Sequence, residues 1–559
     1  MKVTTSLTIL GGAATAAAQS APTVKLQNGT ANGAKCSNTD VNSFLGIPYA
    51  QAPVGPLRFA SPQPYNQTYN PLDATKPPPA CIQFDAAFAE QGAQSEDCLF
   101  INVWVPANAT ANSKTPVKVW LYGGANEAGG ISNPTYDGCT ASESVIQVSI
   151  NYRVGPLGFL SAPDLNITGN QGIQDQLLGL RWVQENIGAF GGDASRVLLF
   201  GQSAGGQDTF AISSLPQASS LFSAAILESS LPGNLSTLEA AQTLGAAYVK
   251  DLNCSSTNIT CVQDAPLSAI NSSSFDIGTT LGLVVDGTVI PAQPLEAGLK
   301  VPAIAGTTTD EGTLFILAQY QTGILQLNAT TYDQFLTTMF GALAQQVNET
   351  YPLSNYQGAL EPALAAMSAV ITHSEFRCPT RRFLQQAVQD NMPVYTYSFN
   401  HTLSCPWFPN IPSVALPFLA STHTAEIPFV FGGVNNLPRP NGTCNMTAGE
   451  IDLSAKMLAA WDNMATNANP GSDWPRYNSS SSMGINVVGD DFTAGTVDYS
   501  MCAFWDGILA AQTNGSSSGS SSGGSGSTSN GVRFVPGTVL LCSTIIWSAF
   551  AGLSLILEL

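Results

Sequence analysis

Leu198-Leu199-Phe200-Gly201-Gln202-Ser203-Ala204-Gly205-Gly206 is the stretch that decides the fold. An apolar run ends in Gly-x-Ser-x-Gly and continues into small residues. That order describes a strand turning sharply into a helix, with Ser203 at the apex in a strained backbone conformation. Side chains at positions 201 and 205 would collide across so tight a turn. The Ser203 hydroxyl then stands at the C-terminal edge of a sheet, backed by the N-terminus of the next helix. Taken alone the pattern is weak in a chain with 51 glycines, and an ordinary surface turn would satisfy it. The surrounding residues have to decide.

Working outward, β-rich apolar runs alternate with helical segments, the pattern of a sheet flanked by helices. Val117 to Tyr122 reads as a strand ending at Gly123-Gly124, and Val145 to Ile150 as the next. Gln174 to Ile187 carries Leu177, Leu180 and Trp182-Val183 near helical spacing and stops at Gly188. Val197 to Phe200 feeds the turn at Ser203. Ala224 to Leu227, Val301 to Ala305 and Val394 to Phe399 read as later strands. The Pro- and Gly-rich stretch after Phe399 reads as long loops, where sites usually sit.

A serine hydroxyl is a poor nucleophile until a base takes its proton and a carboxylate orients that base. Only three histidines exist, so exclusion is possible. His401 lies inside the sequon Asn400-His401-Thr402 and is expected at the surface beside a glycan. His373, in Ala369 to His373, is expected in a buried helical segment. His423, in the loop-like Ser421 to Pro428, is the candidate base. The carboxylate belongs between Ser and His in chain order. Asp310-Glu311-Gly312 follows the Val301 to Ala305 strand, and spacing does not choose between Asp310 and Glu311.

The ends read as addresses. Met1-Lys2, the mildly apolar Val3 to Ala17 and the small residues around Ala18-Gln19-Ser20 predict a secretory signal peptide at 1–20. A Ser/Gly-rich linker is expected at 511–530. Val535 to Leu557 is apolar with no basic residues after it, which predicts a GPI-attachment signal at 531–559, with a membrane anchor as the alternative. Attachment is expected among Ser525 to Asn530. Residues 21–510 remain as one large domain.

With 19 basic and 38 acidic residues the formal charge is −19. No basic patch stands out, which argues against nucleic acid as a partner. Of eleven cysteines, Cys542 lies in the tail, and the remaining even number suits disulfides in an oxidising compartment. Sequons at Asn28, Asn66, Asn108, Asn166, Asn234, Asn258, Asn328, Asn348, Asn400 and Asn441 are expected glycosylation sites.

Further landmarks make the reading specific. They are Phe44 to Ala50 (FLGIPYA), Ser95 to Leu99 (SEDCL), Asn151 to Phe159 (NYRVGPLGF) and Phe190-Gly191-Gly192-Asp193. Phe200 to Gly206, Asp310-Glu311-Gly312, His423-x-x-Glu426-Ile427-x-Phe429 and Cys502-Ala503-Phe504-Trp505 complete the series. With these the chain resembles the type-B carboxylesterase and cholinesterase family, over about residues 21 to 510. The resemblance implies an α/β-hydrolase fold with a large, mostly parallel central sheet flanked by helices. It implies a serine carboxylic-ester hydrolase that needs no metal or organic cofactor and takes a small-molecule ester. Glu311 is then the acid, His423 the base, and Ser229 a supporting hydroxyl near Glu311. Gly124, Ala125 and Ala204 are the implied backbone donors to the oxyanion. Many relatives have a third glycine at position 125 and an aromatic at 126, so Ala125 and the polar Asn126 are expected to narrow or re-polarise the acyl side. Implied disulfides are Cys81–Cys98, Cys254–Cys261 and Cys378–Cys502. For the remaining four cysteines, Cys405–Cys444 and Cys36–Cys139 are the guessed pairs.

Two departures bear on substrate. Cholinesterase-like members hold a quaternary ammonium on a Trp in the Cys81–Cys98 loop, a cation–π contact. Here the loop contains Phe84 and Phe88 and no Trp, and neutral Gln202 stands where cholinesterases carry an acid. The same loop is short, where lipase members carry a longer lid. A lipase or steryl esterase, or a surface binding protein on this scaffold, are the alternative functions.

Overall fold

The structure is a computed structural model that describes residues 21–517, apart from 85–89, 91, 278–280, 408–414 and 439–441. The expected signal peptide, the apolar tail, Asn441 and Phe88 lie outside the described residues.

The core is an eleven-stranded sheet. Its strands in chain order are β1 Ala34–Lys35, β2 Val41–Pro48, β3 Phe100–Pro106, β4 Thr115–Leu121, β5 Ile146–Ile150 and β6 Gly192–Gln202. Then come β7 Ala224–Glu228, β8 Ala303–Thr308, β9 Val394–Asn400, β10 Met483–Val488 and β11 Asp491–Thr496. Their spatial order is β11-β10-β9-β8-β7-β6-β4-β5-β3-β2-β1. The run from β5 to β10 is parallel, and antiparallel strands finish both ends. This is the mostly parallel α/β-hydrolase sheet that the resemblance implies. The central strands are buried on both faces, which is why they read as unbroken apolar runs and not as alternation.

Strand register positions the chemistry. Gly201 pairs with Leu121 on one side and Leu227 on the other, and Gln202 pairs with Glu228. Leu227 and Glu228 in turn pair with Ala305 and Gly306. The carboxyl ends of β4, β6, β7 and β8 therefore lie side by side. Residues just past those ends converge, as expected for an α/β sheet.

Helices α1 Gln171–Asn186, α2 Ala204–Ser213 and α3 Ala448–Asn467 pack against these strands. The sequence reading found α1 but not α3, although Thr447 and Glu450 form a reciprocal capping box at its start. Lys118, fully buried in β4, is neutralised by Asp462 of α3 at 2.7 Å. β10 and β11 fall in the stretch expected to be loop. The helix Cys502–Ser517 takes in the first residues of the stretch expected as linker, the rest of which lies outside the described residues. Among the described residues no helix is long and apolar enough to cross a membrane.

Five disulfides are closed: Cys36–Cys139, Cys81–Cys98, Cys254–Cys261, Cys378–Cys502 and Cys405–Cys444. Loop closure of this kind stabilises chiefly by restricting the unfolded chain, most for the widest separations.

Candidate active site

At the apex of the turn, Ser203 has φ 57° and ψ −124° and caps the N-terminus of α2. Its N–H donates to the carbonyl of Glu228, 2.9 Å away on β7. The glycines are steric necessities. A Cβ on Gly201 would lie 2.4 Å from the Gly205 carbonyl, and one on Gly205 would lie 2.2 Å from that of Leu121. From Gly201 to Ser213 every residue except Ser203 is buried, so Ser203 is the most accessible residue of the turn.

Glu311 and His423 meet beside this turn. His423 Nδ1 lies 2.6 Å from Glu311 Oε2, and the second carboxylate oxygen accepts the Thr308 N–H at 2.8 Å. Glu311 is fully buried and His423 nearly so. The imidazole packs against the stacked pair Phe315 and Phe376, 5.0 Å from each ring. Asp310, the alternative acid, accepts from Thr309 Oγ1 instead. Gln202 Nε2 lies 3.1 Å from His423 Nε2 and 3.4 Å from Nδ1. The sequence reading used Gln202 only as a neutral residue and missed this contact. Nothing local to a residue in a strand end could have disclosed it.

The loop after β4 faces the turn. Gly123 is packed so closely that an added Cβ would stand 2.9 Å from Ser203 Cβ. Gly124 (φ 115°), Ala125 (φ 58°) and Asn126 (φ 60°) are all left-handed. Among the described residues no hydrogen bond uses the N–H of Gly124, Ala125 or Ala204. Tyr122 and Tyr152 stack at 4.2 Å and exchange hydroxyl-to-carbonyl bonds, which fixes the loop's root. Asn126 does not line the acyl side as expected. It is 2% exposed, and its amide donates to buried Asp208 at 3.0 Å.

Ser229 Oγ donates to Glu426 Oε1 at 3.2 Å, and Glu426 neighbours Glu311. One other expectation is corrected. His401 is buried, not at the surface: Gly489 O faces its Nδ1 at 2.9 Å and Glu450 Oε1 its Nε2 at 3.0 Å. His373 lies in the π-helical Thr372–Arg377, half-buried against the Tyr351 hydroxyl. The sequon residues Asn66, Asn108, Asn166, Asn234, Asn258, Asn328 and Asn400 are exposed, while Asn28 and Asn348 are half-buried.

Behind Glu311 lie two more fully buried carboxyls, Glu228 and Glu426. Trp461 Nε1 donates to Glu228 Oε1 at 2.7 Å, and each residue keeps one unpartnered oxygen. Burial, then the neighbouring Glu228 and Glu311, push Glu426 well above the usual carboxylate range. Burial likewise raises Glu228. A carboxyl raised in the folded state contributes stability that is full below the unfolded value of about 4.3. That stability is lost as pH rises through the folded value, at most about 1.4 kcal/mol per pH unit and proton. The thermal midpoint is therefore expected to fall from about pH 5 to about pH 8, and less steeply in Glu426→Gln. Melting curves of both proteins across that range test this, and parallel slopes would contradict it.

The family model described as Carboxylesterase family matches residues 20–505. The chain belongs to the carboxylesterase family. Serine-dependent hydrolysis of carboxylic esters is the activity that membership carries. Among curated relatives, the para-nitrobenzyl esterase of Bacillus subtilis (strain 168) is 33% identical over 78% of this chain and 89% of its own length. The acetylcholinesterase of Bungarus fasciatus is 30% identical, covering 89% of this chain and 88% of the relative. Human carboxylesterase 3 is 33% identical, with 80% and 83% covered. As a carboxylesterase, the chain presents an accessible serine beside an acid-braced imidazole at the carboxyl edge of its sheet.

Proposed function

We propose that the chain hydrolyses uncharged carboxylic esters through an acyl-enzyme on Ser203, with His423 as base and Glu311 as the acid that orients it. The observation that carries this reading is the buried 2.6 Å contact of His423 Nδ1 with Glu311 Oε2 beside the one residue of the turn that is not buried.

In acylation, Gln202 yields His423 Nε2 to the serine hydroxyl. The Ser203 Oγ proton passes to Nε2 while Oγ bonds to the ester carbon and the carbonyl π pair moves onto oxygen. The N–H groups of Gly124, Ala125 and Ala204 receive that oxyanion. Such preorganised donors are worth about 3–4 kcal/mol each in related chemistry. Collapse breaks the C–O bond of the ester, and His423 gives its proton to the departing alcohol. Water then attacks the acyl-enzyme, losing its proton to His423, and Ser203 leaves protonated. Glu311 holds Nδ1–H throughout and steadies the imidazolium without taking the proton.

Neutral Gln202 offers a quaternary ammonium no charge beside the nucleophile, and a Cys81–Cys98 loop without Trp offers it no indole. Five disulfides and exposed sequon asparagines support a secretory route and glycosylation, and the apolar C-terminal tail after a Ser/Gly-rich stretch supports GPI attachment at the cell surface. A series of p-nitrophenyl esters from acetate through butyrate to palmitate tests the substrate class. The short loop predicts the highest kcat/KM for short acyl chains. A preference for emulsified long-chain esters would point to a lipase or steryl esterase instead.

A further inference from the structure

The loop facing Ser203 places two successive non-glycine residues, Ala125 and Asn126, in the left-handed region at φ 58° and 60°. Alanine resists that conformation, and asparagine accepts it best when its side chain is bonded. Something must therefore hold this turn. The Asn126 carbonyl accepts the Gly155 N–H at 2.6 Å, which fastens the loop from one side. On the other side Asn126 Nδ2 donates to Asp208 Oδ1 at 3.0 Å. Asp208 lies within α2, the helix that begins immediately after Ser203. Its second oxygen accepts from Gln176 Nε2 of α1 at 2.5 Å.

Asp208 is fully buried, and among the described residues it has no ion-pair partner. Burial pushes its carboxyl up to about 7, against the lowering effect of the Gln176 and Asn126 amides. A carboxylate buried among amides is a costly way to fill space, and an apolar pair would pack as well. What it provides is a directional link between two elements that each carry oxyanion donors. Ala204 opens α2, and Gly124 and Ala125 sit in the loop.

We propose that Asn126 and Asp208 are positioning residues of the oxyanion hole, whose hydrogen bond fixes the Gly124 and Ala125 N–H groups to the same rigid unit as the Ala204 N–H. The proposal rests on the acyl-transfer reading above. The two residues touch no substrate and act only through the backbone donors. Because those donors work in the transition state, loosening them lowers kcat and leaves KM nearly unchanged.

The experiment uses Asn126→Gly, Asp208→Ala and Asp208→Asn in the full chain, with p-nitrophenyl acetate as substrate. Asn126→Gly removes the side chain and keeps a residue at ease in the left-handed turn. Asp208→Asn keeps an oxygen for Asn126, and its new N–H₂ can face Gln176 Oε1, which lacks a partner. Each kcat is referred to sites titrated with a p-nitrophenyl organophosphate, so unfolded protein does not count. Asn126→Gly and Asp208→Ala are expected to lose about 10- to 100-fold in kcat with KM within about threefold. Asp208→Asn is expected to stay within about threefold of wild type. Wild-type kcat in both truncated variants, a loss carried by KM instead, or an Asp208→Asn loss equal to that of Asp208→Ala overturns the proposal alone. Wild-type protein that neither turns over ester nor takes the label at Ser203 overturns the acyl-transfer reading, and this proposal with it.

Discussion

Ser203→Ala is expected to lower kcat for p-nitrophenyl acetate by about 10⁴- to 10⁶-fold while the protein remains folded. The argument is positional. Between Gly201 and Ser213, Ser203 is the one residue that is not buried. The α2 N-terminus and the loop after β4 converge on its side chain, so no other hydroxyl can take its place in that geometry. The substitution adds no steric conflict, because the neighbouring glycines already clear the turn and alanine is smaller than serine. The φ of 57° is no harder for alanine than for serine, so stability should change little. Residual activity above the uncatalysed rate would come from the backbone donors and from substrate binding. Steady-state kinetics with a matched thermal midpoint test this. A variant within tenfold of wild type would show that another nucleophile carries the reaction.

Glu311→Gln is the second large effect, about 10⁴-fold in kcat. Glu311 serves two donors at once, Thr308 N–H on Oε1 and His423 Nδ1–H on Oε2. A glutamine has one acceptor oxygen and one N–H₂ group, so it satisfies one donor and presents hydrogens to the other. If it serves Thr308, His423 must carry its proton on Nε2, and that nitrogen can no longer receive the Ser203 proton. If it serves His423, the Thr308 N–H is left buried against a donor, and the imidazolium loses its counter-charge. Either arrangement impairs proton transfer with the nucleophile still present. The pH–rate profile separates this from misfolding, because a folded variant in the wrong tautomer should recover part of its rate at high pH. A Glu311→Gln enzyme with wild-type kcat would remove the acid from the account.

The sequence made legible what is fixed by short-range constraint. The turn at Ser203 is local sterics, written as glycines at fixed offsets. The strands that feed the site are buried on both faces and show as apolar runs ended by glycine or by a charged residue. With three histidines, exclusion pointed to His423, and the family resemblance chose Glu311 over Asp310.

The failures at single side chains share one cause, which is partners distant in sequence. Asn126 was expected to face the acyl side, but its partner Asp208 lies 82 positions away on a different element. His401 was placed at the surface by its sequon, yet Glu450, 49 positions later, and the carbonyl of Gly489 draw it inside. The late strands β10 and β11 and helix α3 were hidden by prolines and glycines around them. The reciprocal cap at Thr447 and Glu450 was the local signal that could have disclosed α3. Glu228 closes a fully apolar strand, and a charge in that position was a readable sign of a buried network.

The most direct measurement is mass spectrometry of the folded wild-type protein after reaction with diethyl p-nitrophenyl phosphate. An activated serine attacks phosphorus, p-nitrophenolate leaves, and the diethylphosphoryl group stays on Oγ. The account predicts one label per molecule, on the peptide carrying Ser203, with loss of esterase activity in proportion to labelling. Absence of label at Ser203, or full ester hydrolysis after Ser203 is labelled, would contradict it.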